Sequence, residues 1–246
     1  MKVKRKKRSA WIPRRDPWRN NMESREIPWT KVVGRLMVIG ITVLVLALGS
    51  NFVLRSANMY QYTLDASQLL SGSSSVVEEA DVVKVLGDYM QHKSSRVYLM
   101  SNAEYNAHNV FDKQANVVMH RLRRGADVMA AAGAGALVLT VICYFFLIRW
   151  RRKKEHMQYF RYTVLAAGAA CAGLALTKAA APLYHLIWAR FFGGSPKDDV
   201  LISLIINQKF FRQEGIIELI VDAVLLAVFG YITWEIAGNK RLFKER

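Results

Sequence analysis

Four long apolar stretches, separated by polar segments, dominate the hydrophobic pattern of the chain. They run at about 36–54, 129–148, 162–181 and 216–236. A helix needs about 20 mostly apolar residues to cross the hydrocarbon layer of a bilayer. The first two stretches contain no charged residue, and the third meets Lys178 close to its end. The pattern predicts an all-α membrane protein with four transmembrane helices.

Basic residues are concentrated in alternate gaps between these stretches. Residues 1–35 contain 12 Lys and Arg against 3 Asp and Glu, and residues 149–161 contain 6 against 1. The tail 237–246 contains 4 against 1, whereas 55–127 contains 8 of each sign. Because Lys and Arg near the ends of a span stay in the cytoplasm, both termini are predicted to lie inside. The segments 55–127 and 182–215 are then predicted to lie outside.

The same pattern divides the chain into three parts. The arm 1–35 is predicted to lie in the cytoplasm or along the membrane surface, 36–236 is the four-span domain, and 237–246 is a cytoplasmic tail. The formal net charge of +16 is then mainly an orientation signal, and it suits anionic lipids of the inner leaflet near the arm. A nucleic-acid partner is not expected, since the basic residues flank the spans.

The outer segment 55–127 is predicted to be helical without forming an independent domain. Val82, Val83, Leu86 and Met90 have the spacing of one helix face, and a second helical run is predicted over 102–125. The outer segment 182–215 contains an apolar run too short to cross a bilayer. An interfacial or re-entrant segment is therefore predicted between the third and fourth spans.

The second and third spans both contain many small residues, in the stretches AAAGAGA and LAAGAACAGLA. Small residues allow the backbones of two helices to approach closely. Only about a dozen residues join these two spans. They are therefore predicted to pack tightly against each other as a hairpin.

Histidines are the first candidates for chemistry on the predicted outer face. Imidazole titrates near neutral pH and is the most frequent general acid or base in enzymes. His185 lies at the outer end of the third span, and His108 lies between Asn106 and Asn109. His120, among several arginines, is an alternative to His108. An interfacial or solvated role for each histidine stays open at this point.

Carboxylates supply a second set of candidates. Lys178 and Asp222 lie in the outer halves of neighbouring spans, which predicts an ion pair between them, since charges are costly in lipid. Asp198 and Asp199 are predicted to orient a histidine, to cap the next helix or to bind a cation.

No phosphate-binding loop, zinc-protease motif or serine-nucleophile motif occurs. No metal site and no cofactor are expected.

Three local patterns, together with the order of spans and outer segments, resemble a known family. They are DVVKVLGDYM at 81–90, SNAEYNAH at 101–108, and LYHLIWARFF at 183–192 followed by SPKDDVLISLIINQKFF at 195–211. The chain resembles the bacterial lipoprotein intramolecular transacylase (Lit) family over roughly 36–236. The third pattern is the most specific of the three.

The resemblance implies an enzyme of the bacterial cytoplasmic membrane whose active face is extracytoplasmic. Its substrate would be the diacylglyceryl-cysteine at a lipoprotein N-terminus, within membrane phospholipid. One acyl chain would move from the glyceryl sn-2 oxygen to the cysteine α-amino group. His108 and His185 would share the proton transfers, with His120 as the alternative to His108.

The resemblance also implies supporting roles for further side chains. Asn106 or Asn109 would polarise the ester carbonyl, and Asp198 or Asp199 would orient His185. The implied substrate contacts are Phe191, Phe192, Ile202, Phe210 and Phe211.

A different class of function also fits the sequence. A four-span scaffold without catalytic activity would bind a partner through the outer segment 55–127. It predicts that the histidines tolerate substitution while the apolar face of 76–90 does not. A transporter is a weaker alternative because the first two spans contain no ionisable residue.

Overall fold

The computed structural model describes residues 28–67, 78–101, 109–150, 153–180, 184–186, 188–192 and 201–238. Four of the predicted site residues, Asn106, His108, Asp198 and Asp199, lie outside these ranges, as does most of the basic arm.

The described residues are almost entirely helical. The helices are α1 (Pro28–Arg55), α2 (Ala57–Ser67), α3 (Glu79–Met90), α4 (Lys113–Arg149), α5 (Lys153–Ala179), α6 (Leu201–Ile205) and α7 (Gln208–Gly238), with a π-helical turn at Trp188–Phe192 between α5 and α6. Four helices, α1, α4, α5 and α7, are long and apolar enough to cross a membrane. The prediction of an all-α membrane protein with four transmembrane helices is confirmed.

Helix α1 lies at the centre of the bundle, where it packs against α4, α5 and α7. Glycines on α1 make close approach possible. A methyl group at Gly34 would overlap the Tyr159 ring of α5, and one at Gly40 would lie 2.8 Å from Thr140 Oγ1 of α4. The first of the four described spans is therefore the one around which the other three assemble.

The predicted tight hairpin between the second and third spans is wrong. Helices α4 and α5 make few contacts with each other, and both pack mainly on other spans. Gly133 of α4 approaches Ala47 of α1, where an added methyl group would lie 3.2 Å from the Ala47 side chain. Gly168 and Gly173 of α5 have no neighbour within 4 Å of an added methyl group. Small residues permitted close packing, but they did not specify the partner.

The amphipathic helix in the first predicted outer segment is confirmed as α3. Val82, Leu86 and Met90 are completely buried, and Val83 is half-buried. Of the second predicted helical run, residues 109–112 are not helical, and 102–108 lie outside the described residues. Helix α4 starts at Lys113, where the Asp112 carboxylate accepts a hydrogen bond of 2.6 Å from the Ala115 amide.

One apolar core joins the connecting segments to the ends of the spans. It includes side chains of α2, α3, α6, the π-helical turn and the first turns of α4 and α7. Trp188 is completely buried at its centre, with its ring centroid 4.9 Å from that of Phe192. We name the end of the bundle that carries these segments the loop end.

Candidate functional site

A cavity of about 250 Å³ lies at the loop end, where all four spans contribute side chains. Its apolar walls are Leu54, Leu122, Met129, Leu174, Phe191, Phe192 and Phe211, and its polar lining includes Ser50, Arg121, Thr177, Lys178 and Glu214. Enclosed pockets with mostly apolar walls and a few polar groups are typical of small-molecule sites.

The polar lining continues into a buried group of hydrogen-bonded residues, three of them charged, which we name the ionic cluster: Ser50, Lys178, Glu214 and Glu218. Lys178 Nζ donates to Glu214 Oε1 at 2.8 Å and also forms a short ion pair with Glu218. The Ser50 hydroxyl donates to the other oxygen of Glu218. Both glutamates are 2% exposed. The cluster thus links α1, α5 and α7 through charged hydrogen bonds.

The predicted ion pair between Lys178 and Asp222 is wrong. Lys178 pairs with Glu214 and Glu218, which precede Asp222 on the same face of α7. Asp222 is 1% exposed, packs against Gly49 and lies beside the Cys171 thiol. Neither of its carboxylate oxygens accepts a hydrogen bond from a described nitrogen or oxygen donor.

The sequence analysis missed Ser50 and Glu214, and it missed Glu214 because the fourth span was predicted to begin only at residue 216. Helix α7 begins at Gln208. Glu214, Glu218 and Asp222 recur at intervals of four, which places them on one helix face. This spacing was the available signal.

Tyr60 of α2 lies close to the ionic cluster. Its hydroxyl donates to the Leu54 carbonyl oxygen at 2.9 Å, and its ring stacks on Phe210 with centroids 5.8 Å apart. Complete burial raises the pKa of the Tyr60 hydroxyl, and repulsion from the Glu214 carboxylate raises it further. Tyr60 therefore stays neutral and serves as a hydrogen-bonded packing group.

His185 is exposed at the loop end, one residue after the buried Tyr184. The His185 ring meets the Tyr184 ring edge-on, with centroids 5.1 Å apart, and the Tyr184 centroid lies 6.0 Å from that of Phe211. Phe211 is a wall of the cavity. One buried ring therefore separates the imidazole from the cavity wall, and the imidazole itself is exposed.

Arg121 closes part of the cavity. Its Nη1 donates to the Phe191 carbonyl oxygen at 2.9 Å, which ties the start of α4 to the π-helical turn. His120, the alternative first histidine, lies next to Arg121 and is exposed. His120 does not line the cavity.

The predicted substrate contacts fall into two groups: some lie at the cavity, and the others are buried in the loop-end core. Phe191 is 64% exposed at the cavity, and Phe192 and Phe211 form its walls. Ile202 and Phe210 have no exposed surface and pack inside the loop-end core.

Asn109 uses its amide within a backbone turn. The side-chain oxygen accepts from the Leu99 and Phe111 amides at 3.0 and 3.3 Å, and Nδ2 donates to the Phe111 carbonyl oxygen at 2.6 Å. Asn109 therefore fixes the chain immediately before α4.

His92 forms a polar network at the loop end. Its Nε2 lies 2.9 Å from Asp127 Oδ1, and its Nδ1 lies 2.6 Å from Arg123 Nη2. Asp127 also pairs with Arg55 at 2.6 Å. Both ring nitrogens are engaged, so His92 has no free nitrogen for proton transfer. Within the described ranges, no group of three or more His, Cys, Asp or Glu is placed to hold a metal ion.

No family model matches the chain, and no curated protein matches it in sequence. Solved structures match it in fold. A histidine-to-arginine variant of the membrane integral lipoprotein intramolecular transacylase Lit from Bacillus cereus superposes with a TM-score of 0.66 at 12% identity, covering 92% of this chain and 99% of that one. A histidine-to-alanine variant gives 0.64 at 12% identity, covering 92% and 98%.

A third structure of the same Bacillus protein gives a TM-score of 0.61 at 12% identity, covering 87% of this chain and 98% of that one. The agreement extends over nearly the whole of both chains, so it includes the connecting segments as well as the spans. The resemblance predicted from the sequence is confirmed for the fold: the chain shares the fold of these Lit transacylase structures.

Proposed function

We propose that the protein is a membrane acyltransferase that moves an acyl chain within a diacylated lipoprotein N-terminus. The observation that carries the proposal is the fold shared with Lit over 92% of this chain and 99% of the other. The acyl chain would leave the glyceryl sn-2 oxygen and arrive on the cysteine α-amino group, giving the lyso form of the lipoprotein.

The loop end offers the environment that this reaction needs. The cavity has apolar walls for alkyl chains and polar groups at its inner end, and His185 is exposed next to Tyr184, which packs on Phe211. The nucleophile and the ester belong to one molecule. The protein therefore has mainly to supply geometry, exclusion of water and proton transfer.

The chemical step forms one bond and breaks one. The amine nitrogen attacks the ester carbonyl carbon, and the bond between that carbon and the sn-2 oxygen then breaks. A base takes a proton from the amine, and an acid returns a proton to the departing alkoxide. We assign these two roles to His185 and His108, with His120 as the alternative to His108, and we place Phe191, Phe192 and Phe211 against the acyl chains.

The alternating charge supports an orientation for this chemistry. Basic residues flank the ends of the spans opposite the loop end, and such residues stay in the cytoplasm. The proposed active face is therefore extracytoplasmic, in a bacterial cytoplasmic membrane. The two termini lie inside, where anionic lipids would contact the basic arm.

The alternative function, a scaffold that binds a partner through 55–127, has less support. It requires the apolar face of α3 to be available to that partner. Val82, Leu86 and Met90 are completely buried in the protein's own loop-end core. That surface is already used for folding.

The proposal is tested by incubating the purified protein with a synthetic diacylglyceryl-cysteinyl peptide. Transfer within one molecule leaves its mass unchanged, so tandem mass spectrometry must locate the acyl chain. We expect fragments with an acylated α-amino group and a monoacylglyceryl thioether. A matched substrate with ether-linked chains cannot react and serves as the control. An unchanged ester substrate, or release of free fatty acid instead of transfer, contradicts the proposal.

A further inference from the structure

We infer that Glu214 forms a recognition site for the substrate's α-ammonium group at the inner end of the loop-end cavity. The inference rests on the proposed function and adds to it the residue that selects a free N-terminus. The protein would bind a lipid-modified cysteine with an unblocked amine in preference to one that is already acylated.

The charge of the ionic cluster is the first argument. Two carboxylates, Glu214 and Glu218, share one ammonium group, that of Lys178. The cluster therefore has one formal negative charge in excess, and Asp222 adds another one turn further along α7. Arg121 also lines the cavity, where its guanidinium donates to the Phe191 carbonyl oxygen. Carboxylates in a membrane span are costly unless a cation or a proton accompanies them. A cationic ligand would supply the missing charge.

The second argument is that a ligand in the cavity can reach only one of the two carboxylates of the ionic cluster. Glu214 lines the cavity together with Lys178 and Ser50, whereas Glu218 does not. Glu218 has both oxygens occupied, one by Ser50 and the other by Lys178. The hydrogen bond from Lys178 engages only Oε1 of Glu214. Of the two carboxylates in the ionic cluster, Glu214 is therefore the hydrogen-bond acceptor that borders the cavity.

The third argument is the shape and chemistry of the space above Glu214. The cavity volume of about 250 Å³ is many times the space that a single water molecule needs, so a ligand larger than a bare ion fits. Seven of its walls are apolar: Leu54, Leu122, Met129, Leu174, Phe191, Phe192 and Phe211. A primary ammonium group attached to alkyl chains matches this combination of one carboxylate and apolar walls.

Ammonium recognition is separated from catalysis by measuring binding with ligands that cannot react. The probes are two ether-linked dialkylglyceryl-cysteinyl peptides, one with a free amine and one with an N-acetyl group, titrated into the detergent-purified protein. A hydrogen bond between charged groups is stronger than one between neutral groups, so we expect the free-amine probe to bind at least about tenfold more tightly.

The variants locate the effect. Glu214→Gln keeps the size of the side chain, and we expect it to remove the preference for the free amine. Glu218→Gln changes the same cluster outside the cavity lining, and we expect it to keep the preference. If Glu214→Gln fails to fold, the wild-type comparison still tests whether the protein prefers the free amine.

Three results would overturn the inference. If wild type binds both probes equally, a proton rather than an ammonium group balances the cluster. If Glu214→Gln keeps the preference, another group recognises the amine. If neither probe binds, the proposed lipoprotein substrate itself is wrong, and this result differs from binding without discrimination.

Discussion

Replacement of His185 by alanine is expected to lower the rate of acyl transfer about 10²–10⁴-fold, the usual contribution of a general acid or base. His185 is exposed, and among the described residues its ring meets the buried core edge-on at Tyr184. Its removal should therefore leave the unfolding temperature close to that of the wild type. The measurement is the initial rate with the ester-linked lipopeptide, together with thermal unfolding in detergent.

The matched control for His185→Ala is His92→Asn. His92 has φ 63°, a left-handed conformation that asparagine tolerates better than most residues. Its ring nitrogens are already engaged by Asp127 and Arg123. We expect this variant to transfer acyl chains at the wild-type rate. A wild-type rate in His185→Ala would remove His185 from the mechanism, and parallel tests of His108→Ala and His120→Ala would identify the second histidine.

Lys178→Met is expected to destabilise the protein by about 3–5 kcal/mol, the usual cost of leaving a buried charge without its partner. The Lys178 side chain is 13% exposed, and both carboxylates that it contacts are 3% exposed. Without the ammonium group, Glu214 and Glu218 would face each other in a region of low dielectric constant. Chemical or thermal unfolding in detergent measures the effect.

Two controls show whether the charge itself is responsible. Lys209→Met removes an exposed lysine from α7 and should change the stability by less than about 0.5 kcal/mol. The triple variant Lys178→Met, Glu214→Gln, Glu218→Gln should recover most of the loss, because replacing a whole buried ion pair by neutral groups is often harmless. A Lys178→Met variant as stable as wild type would show that the cluster is not a strong ionic link.

The spans were predictable because each one satisfies a physical requirement of the bilayer by itself. A run such as 36–54 must be about as long as the hydrocarbon layer is thick, whatever it packs against. The partners of the spans were not predictable in this way. Gly133 and Gly168 look alike in sequence, yet Gly133 packs on α1 while Gly168 has an open surface. Which helix packs against a surface of small residues depends on how all the helices of the bundle are arranged.

The candidate site was predictable only in part. Lys178 was recognised as a charge that needs a partner, but a lysine at the end of α5 can reach several turns of α7. The choice of Glu214 and Glu218 over Asp222 depends on the axial offset between these two helices. Asn109 looked like a catalytic amide because it is two residues from Phe111 and next to His108, whereas its hydrogen bonds serve a backbone turn.

A crossover experiment tests the central claim, acyl transfer within one lipoprotein molecule, most directly. Two ester-linked lipopeptides, one with deuterated acyl chains and a different peptide sequence, are mixed in equal amounts with the purified protein. Tandem mass spectrometry then identifies the acyl chain on each α-amino group. The account predicts that each peptide carries only its own isotopic form. Peptides that carry the other substrate's acyl chain, or α-amino groups that remain free, would contradict it.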